Sequence, residues 1–156
     1  MTNACVRISQ KSAVLLEHAR RHGFTDEQLL TWIHANDMKA LQAAEDDYYK
    51  YDEWANYARE HGEDLAAAIQ EGYQMTFNTV FGVKRWLKER LGLIEVQNYT
   101  EEEGHMDGLM LRAADAELLS KTIAANWVIV KQDRDADGMV PTSIVMRAFL
   151  DENAHF

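Results

Sequence analysis

From the N-terminus to Leu91 the apolar positions recur at intervals of three and four, and beyond Gly92 they move toward alternation. The first period lines one face of a helix and the second one face of a strand. The pattern therefore predicts an α+β fold, predominantly helical, with about five or six helices and a small sheet of about three strands in the C-terminal half. At 156 residues the chain suits one domain spanning 1–156, with frayed ends at 1–8 and 152–156.

Residues 9–22 predict the first helix, capped by Ser9 or Ser12 and stopped by Gly23, with Leu15, Leu16 and Ala19 facing inward. Thr25 and Gln28 match a capping box, which starts a second helix with Leu29, Leu30 and Ile33 as its stripe and Trp32 at the edge. Met38 to Glu60 predict a third, long helix on which Leu41, Ala44, Tyr48, Tyr51, Ala55 and Ala58 share a face, while Tyr49 and Trp54 fall off it. Gly62 closes that helix, and Glu63 and Asp64 complement the dipole of the next.

The stretch 64–96 is the longest apolar-periodic segment and reads either as one kinked helix or as two, the second capped by Asn78 or Thr79. Its inner face is Phe77, Val80, Phe81, Val83, Trp86, Leu87 and Leu91. Residues 93–99 and 109–112 predict a hairpin around an acidic loop, and 114–125 predict a helix. WVIVK at 127–131 predicts a strand covered on both faces. After Pro141, residues 142–152 predict a last helix or, as the alternative, a final strand.

Charge narrows the picture. The 26 acidic residues outnumber the 16 basic ones, so a net charge of −10 disfavours generic binding to phosphate backbones. The single cysteine, Cys5, has no intramolecular partner, and no apolar run has the length of a membrane span or a signal peptide core, which predicts a cytoplasmic protein. No phosphate-cradling glycine loop, zinc-binding HExxH pair or nucleophile elbow is present, and the expectation is a non-enzyme without cofactors.

The segment EDDYYKYDEWANY crowds aromatic residues among carboxylates. Asp46, Asp47, Tyr48, Tyr49, Tyr51, Asp52, Glu53, Trp54 and Tyr57 form a candidate surface for a basic protein partner, because rigid aromatics anchor interfaces and charge steers encounter. The reading that follows is a small acidic binding protein that regulates or inhibits a basic or nucleic-acid-handling partner. Such a profile resembles that of phage or mobile-element accessory proteins.

The alternative lies in Lys84, Arg85, Lys88 and Arg90. A helix, a turn, the basic stretch ending at Gly92 and a following hairpin resemble the outline of a winged helix-turn-helix domain over residues 64–112. With Gly72 at the glycine turn position, Ala68 stands where a small residue is wanted, while Glu71 and Asn78 occupy apolar positions and the wing tip, Glu101 to Glu103, is acidic. The resemblance implies a DNA-binding regulator with 79–91 as its recognition helix.

Three stretches carry residues of metal-binding type. Asp133, Asp135, Asp137 and Gly138 match the opening of a calcium loop, yet Ile144 stands where its bidentate glutamate belongs, leaving Asp151 or Glu152 to complete it. His18 and His22 lie four apart without an evident third ligand. Glu101, Glu102, Glu103, His105 and Asp107 are of metal-binding type but lack ligand spacing, and read as a solvated acidic loop.

Overall fold

Side-chain caps begin four of the six α-helices among the described residues. The computed structural model describes residues 6–46 and 49–149. These residues carry six α-helices, a 3-10 segment, a π turn and six short strands, an α+β fold as the hydrophobic periods predict. The chain divides into two compact units, Met1–Thr76 and Phe77–Phe156.

In the first unit, α1 (Gln10–Arg21) is capped by Ser9, whose hydroxyl accepts from the Ser12 N–H at 3.2 Å. α2 (Asp26–Ala35) carries the predicted capping box between Thr25 and Gln28 and ends on Asn36 in the left-handed region. The predicted long third helix does not form. A 3-10 segment, Lys39–Ala44, gives way to irregular chain, and α3 spans only Trp54–Glu60. The cause is local competition: Asp46 accepts from the Tyr49 N–H at 2.8 Å and Glu45 from the Tyr51 N–H at 2.7 Å. Those carboxylates take the donors that a helix would need.

α4 (Leu65–Glu71) is capped by Asp64, which accepts from the Ala67 N–H at 3.0 Å. Arg7–Ile8, expected to fray, instead forms strand β1, paired in parallel with β2 (Gln74–Met75), and Ile8 and Met75 are fully buried. The core of this unit gathers Ala13, Leu15, Leu16 and Ala19 of α1 with Leu29, Leu41, Trp54, Ala58, Leu65 and Ala68.

The second unit starts with α5 (Val80–Trp86), capped by Thr79 and continued by a π turn, Leu87–Leu91, that stops at Gly92 with φ 71°. α4 and α5 are therefore two helices, separated by residues that include β2. Val83, Trp86 and Leu87 are buried as predicted, but Phe77 and Phe81 are exposed. Residues 93–99 form a hydrogen-bonded turn where a strand was expected, and the acidic loop itself becomes the hairpin of β3 (Thr100–Glu102) and β4 (His105–Arg112). Glu103 and Gly104 both adopt positive φ, 50° and 84°, which suits the two-residue connection of a tight hairpin.

α6 (Ala113–Thr122) leads to β5 (Trp127–Lys131) and β6 (Met139–Met146), so of the predicted last element 142–146 form a strand, 147–149 are helical and 150–152 lie outside the described residues. The antiparallel order is β3-β4-β6-β5. β5 is thus an edge strand, and Val130 is exposed rather than covered. α6 packs on β4, β5 and β6, whose buried residues include Met106, Leu109, Leu111, Val140 and Ile144.

Candidate functional site

Irregular backbone places the acidic residues of the first unit. Of this segment the described residues 45–46 and 49–53 are held by their own carboxylates, as above, and by Tyr49, Tyr51 and the adjoining Trp54. Tyr49, Tyr51 and Trp54 are 8%, 2% and 1% exposed, which corrects the expectation that Tyr49 and Trp54 leave the buried face. None of these three rings offers a contact surface. Asp46, Asp52 and Glu53 remain exposed, and Tyr57 is half-buried, stacked on His61 with centroids 4.1 Å apart and covered by the Lys11 ammonium at 4.4 Å. Asp47 and Tyr48 lie outside the described residues.

The anchors are fixed by polar contacts within the unit. Trp54 Nε1 donates to Ser12 Oγ at 3.1 Å, and the Ser12 hydroxyl donates to Glu63, which also accepts the Ser9 N–H. Tyr51 donates its hydroxyl proton to the Leu15 carbonyl at 3.1 Å, which leaves its oxygen to receive His18 Nδ1–H at 2.6 Å. The other nitrogen of His18 faces the Asp46 carboxylate at 3.5 Å, and its ring stacks on Tyr49 with centroids 3.9 Å apart. His18 is thus the hub that orders the acidic segment, and both its nitrogens are directed at groups other than a metal shared with His22. His22 Nδ1 turns instead to the His18 carbonyl at 2.9 Å.

Beside this segment lies a cleft of about 270 Å³ whose walls include Asp37, Asp52, Asn36, Gln42, Asn56 and Tyr51. Arg59 donates to the side-chain oxygens of Asn36 at 3.0 Å and Asn56 at 3.1 Å, fixing both amides. Asp37 and Asp52 bring two carboxylates to this cleft, which Lys39 also lines. In the sequence Asn36 and Asp37 read as residues that interrupt the second helix or cap the next. Their role in a cleft depends on the left-handed turn at Asn36 and on the break in the expected third helix.

The basic residues of the second unit are distributed differently from a recognition helix. Lys84 is held by Glu95 at 2.9 Å and Glu101 at 2.8 Å, and Arg85 lies 4.3 Å over the Phe81 ring. Lys88 and Arg90 are exposed. The eight residues between α4 and α5 hold strand β2 rather than the short turn of a helix-turn-helix. Glu101 to Glu103, at the wing position of the resemblance, include a carboxylate committed to Lys84.

Hydrogen bonding to Glu101 raises the Lys84 ammonium above its ordinary value, and the same bond, helped by the Gly104 N–H, lowers the Glu101 carboxyl. Burial, then Glu95, pushes the neighbouring Tyr99 phenol up to about 12. A depressed carboxyl contributes stability that is lost as pH falls through its folded value, and a raised ammonium loses its share as pH rises through its own. The pair therefore stabilises the second unit between the ordinary carboxylate range and the ordinary lysine range. Lys84→Met should cost about 1 kcal/mol at pH 7, given partial solvent exposure. Thermal melts from pH 3 to 7 check this: the gap between wild type and variant should close at the acid end, and a constant gap would show that the charge pair is not its source.

The metal candidates have other partners. Asp135 Oδ1 accepts from the N–H groups of Asp137 and Met139, both at 2.9 Å, so it closes the β5–β6 turn. Asp133 and Asp137 are exposed in the same turn, while Asp151 and Glu152 lie outside the described residues. Asp107 accepts from the Ser143 hydroxyl at 2.8 Å, and His105 meets the edge of Phe149. Among the described residues no three histidine, cysteine or carboxylate side chains gather as a metal site, and no helix is long and apolar enough to cross a membrane. Comparisons with protein-family models, curated proteins and solved structures gave no match for the chain.

Proposed function

We propose that the protein is a non-catalytic binding protein that regulates a macromolecular partner by receiving a basic segment of it on the acidic loop 45–53 and the cleft beside it. One observation carries this reading: buried aromatic anchors and the His18 hub hold an irregular, acidic stretch in place, with Asp46, Asp52 and Glu53 turned to solvent. Ordering a loop before binding removes an entropic cost from association, and carboxylates aimed at solvent steer a cationic partner. Asp37 and Asp52 in the cleft then offer a seat for one lysine or arginine side chain.

The test uses defined probes. A fluorescein-labelled arginine- and lysine-rich peptide should bind the full chain with an affinity that falls as salt rises. The combined variant Asp37→Asn, Asp52→Asn, Glu53→Gln should weaken it about tenfold or more without lowering Tm, because the substituted groups are exposed. Equal binding by the variant would overturn the reading. Salt-steep binding to duplex DNA that is lost in Lys88→Glu would replace it with direct DNA binding by the basic helix.

A further inference from the structure

The two edges of the four-stranded sheet are defended differently. β3 is three residues long and carries Glu101 and Glu102, so its edge is short and acidic and discourages another strand. β5 ends the other side, and among the described residues β6 is the one strand paired with it. β5 runs in unbroken register from Trp127 opposite Met146 to Lys131 opposite Thr142, with no proline, no bulge and no charge before Lys131. Val130 is 44% exposed, and the Lys131 ammonium is itself paired with Glu117 at 3.6 Å. An uncovered apolar edge of this kind is a template for a further strand.

Hydrogen bonds at the two ends of the β5–β6 pair fix which backbone groups the edge offers. The Gln132 N–H donates to the Pro141 carbonyl and the Arg147 N–H to the Asn126 carbonyl, both at 2.9 Å. Bonded and non-bonded pairs alternate along an antiparallel ladder, so Val128 and Val130 turn their backbone groups to β6 while Ile129 and Lys131 turn theirs away from it. The Trp127 N–H is taken by the Ala124 carbonyl at 3.1 Å, and by the same alternation the Trp127 carbonyl faces outward.

We propose that the occupant of this edge is β5 of a second copy of the chain, antiparallel and centred on Ile129, which joins the two sheets into one. Centring on Ile129 pairs the strand over its whole length. Each Ile129 then donates to and accepts from its counterpart, and each Lys131 N–H reaches the Trp127 carbonyl opposite. Val128 meets Val130 of the other copy on one face, and the two Ile129 side chains meet on the other. Centred on Lys131, the strands would set like charges opposite each other; centred on Trp127, they would need the N–H that Ala124 already holds. The ends of the strand match as well. Antiparallel pairing brings exposed Asp133, just after β5, up to the turn that precedes β5 in the other copy, where Arg147 is exposed and its Nε–H is held by the Ala125 carbonyl at 2.8 Å. Within one chain Asp133 and Arg147 stand at opposite ends of β5. The net charge of −10 opposes association at long range, but salt at about 0.15 M screens charges more than about 8 Å apart.

Sedimentation of the full chain from about 5 µM to about 500 µM should show a monomer–dimer equilibrium, weak as suits an interface of one strand pair. On dimerisation the amides of Ile129 and Lys131 should gain protection from solvent exchange, while those of Val128 and Val130, already turned to β6, should not change. Ile129→Pro removes an outward N–H and leaves the β6 ladder its donors, and Val130→Lys puts a charge in the apolar centre of the edge. Each should weaken the dimer at least about tenfold, and Val130→Lys, at an exposed position, carries the test if the proline disturbs the fold. Asp133→Lys and Arg147→Glu should each weaken it about threefold or more, and the two together should restore it, which a role inside one chain does not predict. A chain that stays monomeric across the range, a dimer whose Ile129 amide still exchanges freely, a dimer indifferent to Val130→Lys, or a charge swap without recovery would each overturn the proposal. A monomer that protects the same amides on addition of an alternating valine–threonine peptide would overturn it too, by assigning the edge to a strand from another protein.

Discussion

Trp54→Ala should lower the stability of the first unit by about 3–5 kcal/mol, the range for emptying the site of a fully buried indole. Trp54 is 1% exposed and, with Trp86, is among the largest fully buried side chains of the described residues. Its removal also takes the Nε1–H away from Ser12 Oγ, whose hydroxyl is committed to Glu63. Trp54→Phe keeps most of the apolar volume and loses only that hydrogen bond, so it should cost about 1–2 kcal/mol. Tyr57→Ala, on a half-buried ring, should cost about 1 kcal/mol. Urea denaturation followed by circular dichroism compares the three directly. A Trp54→Ala cost no larger than that of Tyr57→Ala would show that the acidic loop is not anchored by this ring. Because the proposed basic-partner site borders α3, the same variant should lose peptide binding along with its fold, whereas the exposed carboxylate variants should lose binding alone.

The residues that were legible in the sequence are those whose effect is local. Ser9, one of two candidate caps, and the Thr25–Gln28 box act on donors three residues away and start their helices as expected, while Asp64, expected to complement the dipole, also accepts from the Ala67 N–H. The strand alternative for 142–152 rested on Ile144, Val145 and Met146, and those three do fall in β6. What failed was periodicity without competition. In 38–60 the spacing of Leu41, Ala44, Tyr51, Ala55 and Ala58 is helical, but Glu45 and Asp46 hold backbone N–H groups that a continuous helix would use. Pairing of Arg7–Ile8 with Gln74–Met75 depends on chain segments far apart in sequence, and two-residue strands leave no period to read.

For the candidate site the carboxylates were legible and the aromatics were not. Asp46, Asp52 and Glu53 are exposed as expected, whereas burial of Tyr49, Tyr51 and Trp54 depends on His18 and Ser12, more than thirty residues away for Tyr51 and Trp54. Conversely, Phe77 precedes the Thr79 cap and so lies outside α5, while Phe81 falls off the face that Val83 and Trp86 bury.

Asn78→Ala should destabilise the second unit by about 2–3 kcal/mol, the largest effect expected there from a single polar side chain. Asn78 is 1% exposed and joins the start of α5 to the α6–β5 junction. Its Oδ1 accepts the Ala124 N–H at 2.8 Å, and its own N–H donates to Asn126 Oδ1 at 3.1 Å. Its carbonyl accepts from Asn126 Nδ2 at 2.8 Å and from Trp127 Nε1 at 2.9 Å. Alanine keeps the backbone bonds but leaves the buried Ala124 N–H without its acceptor, and an unmet donor costs more than the bond contributed. The same geometry explains why a polar residue stands where the winged-helix outline wants an apolar one: the position is buried, but it is buried against backbone donors. Trp127→Phe removes one donor to a carbonyl that keeps Asn126, so its cost should stay near 1 kcal/mol. Amide hydrogen exchange separates the mechanism from general loosening. The Ala124 amide should lose protection in Asn78→Ala well beyond the change in global stability, and an Ala124 amide that stays protected would show that Asn78 does not hold this junction.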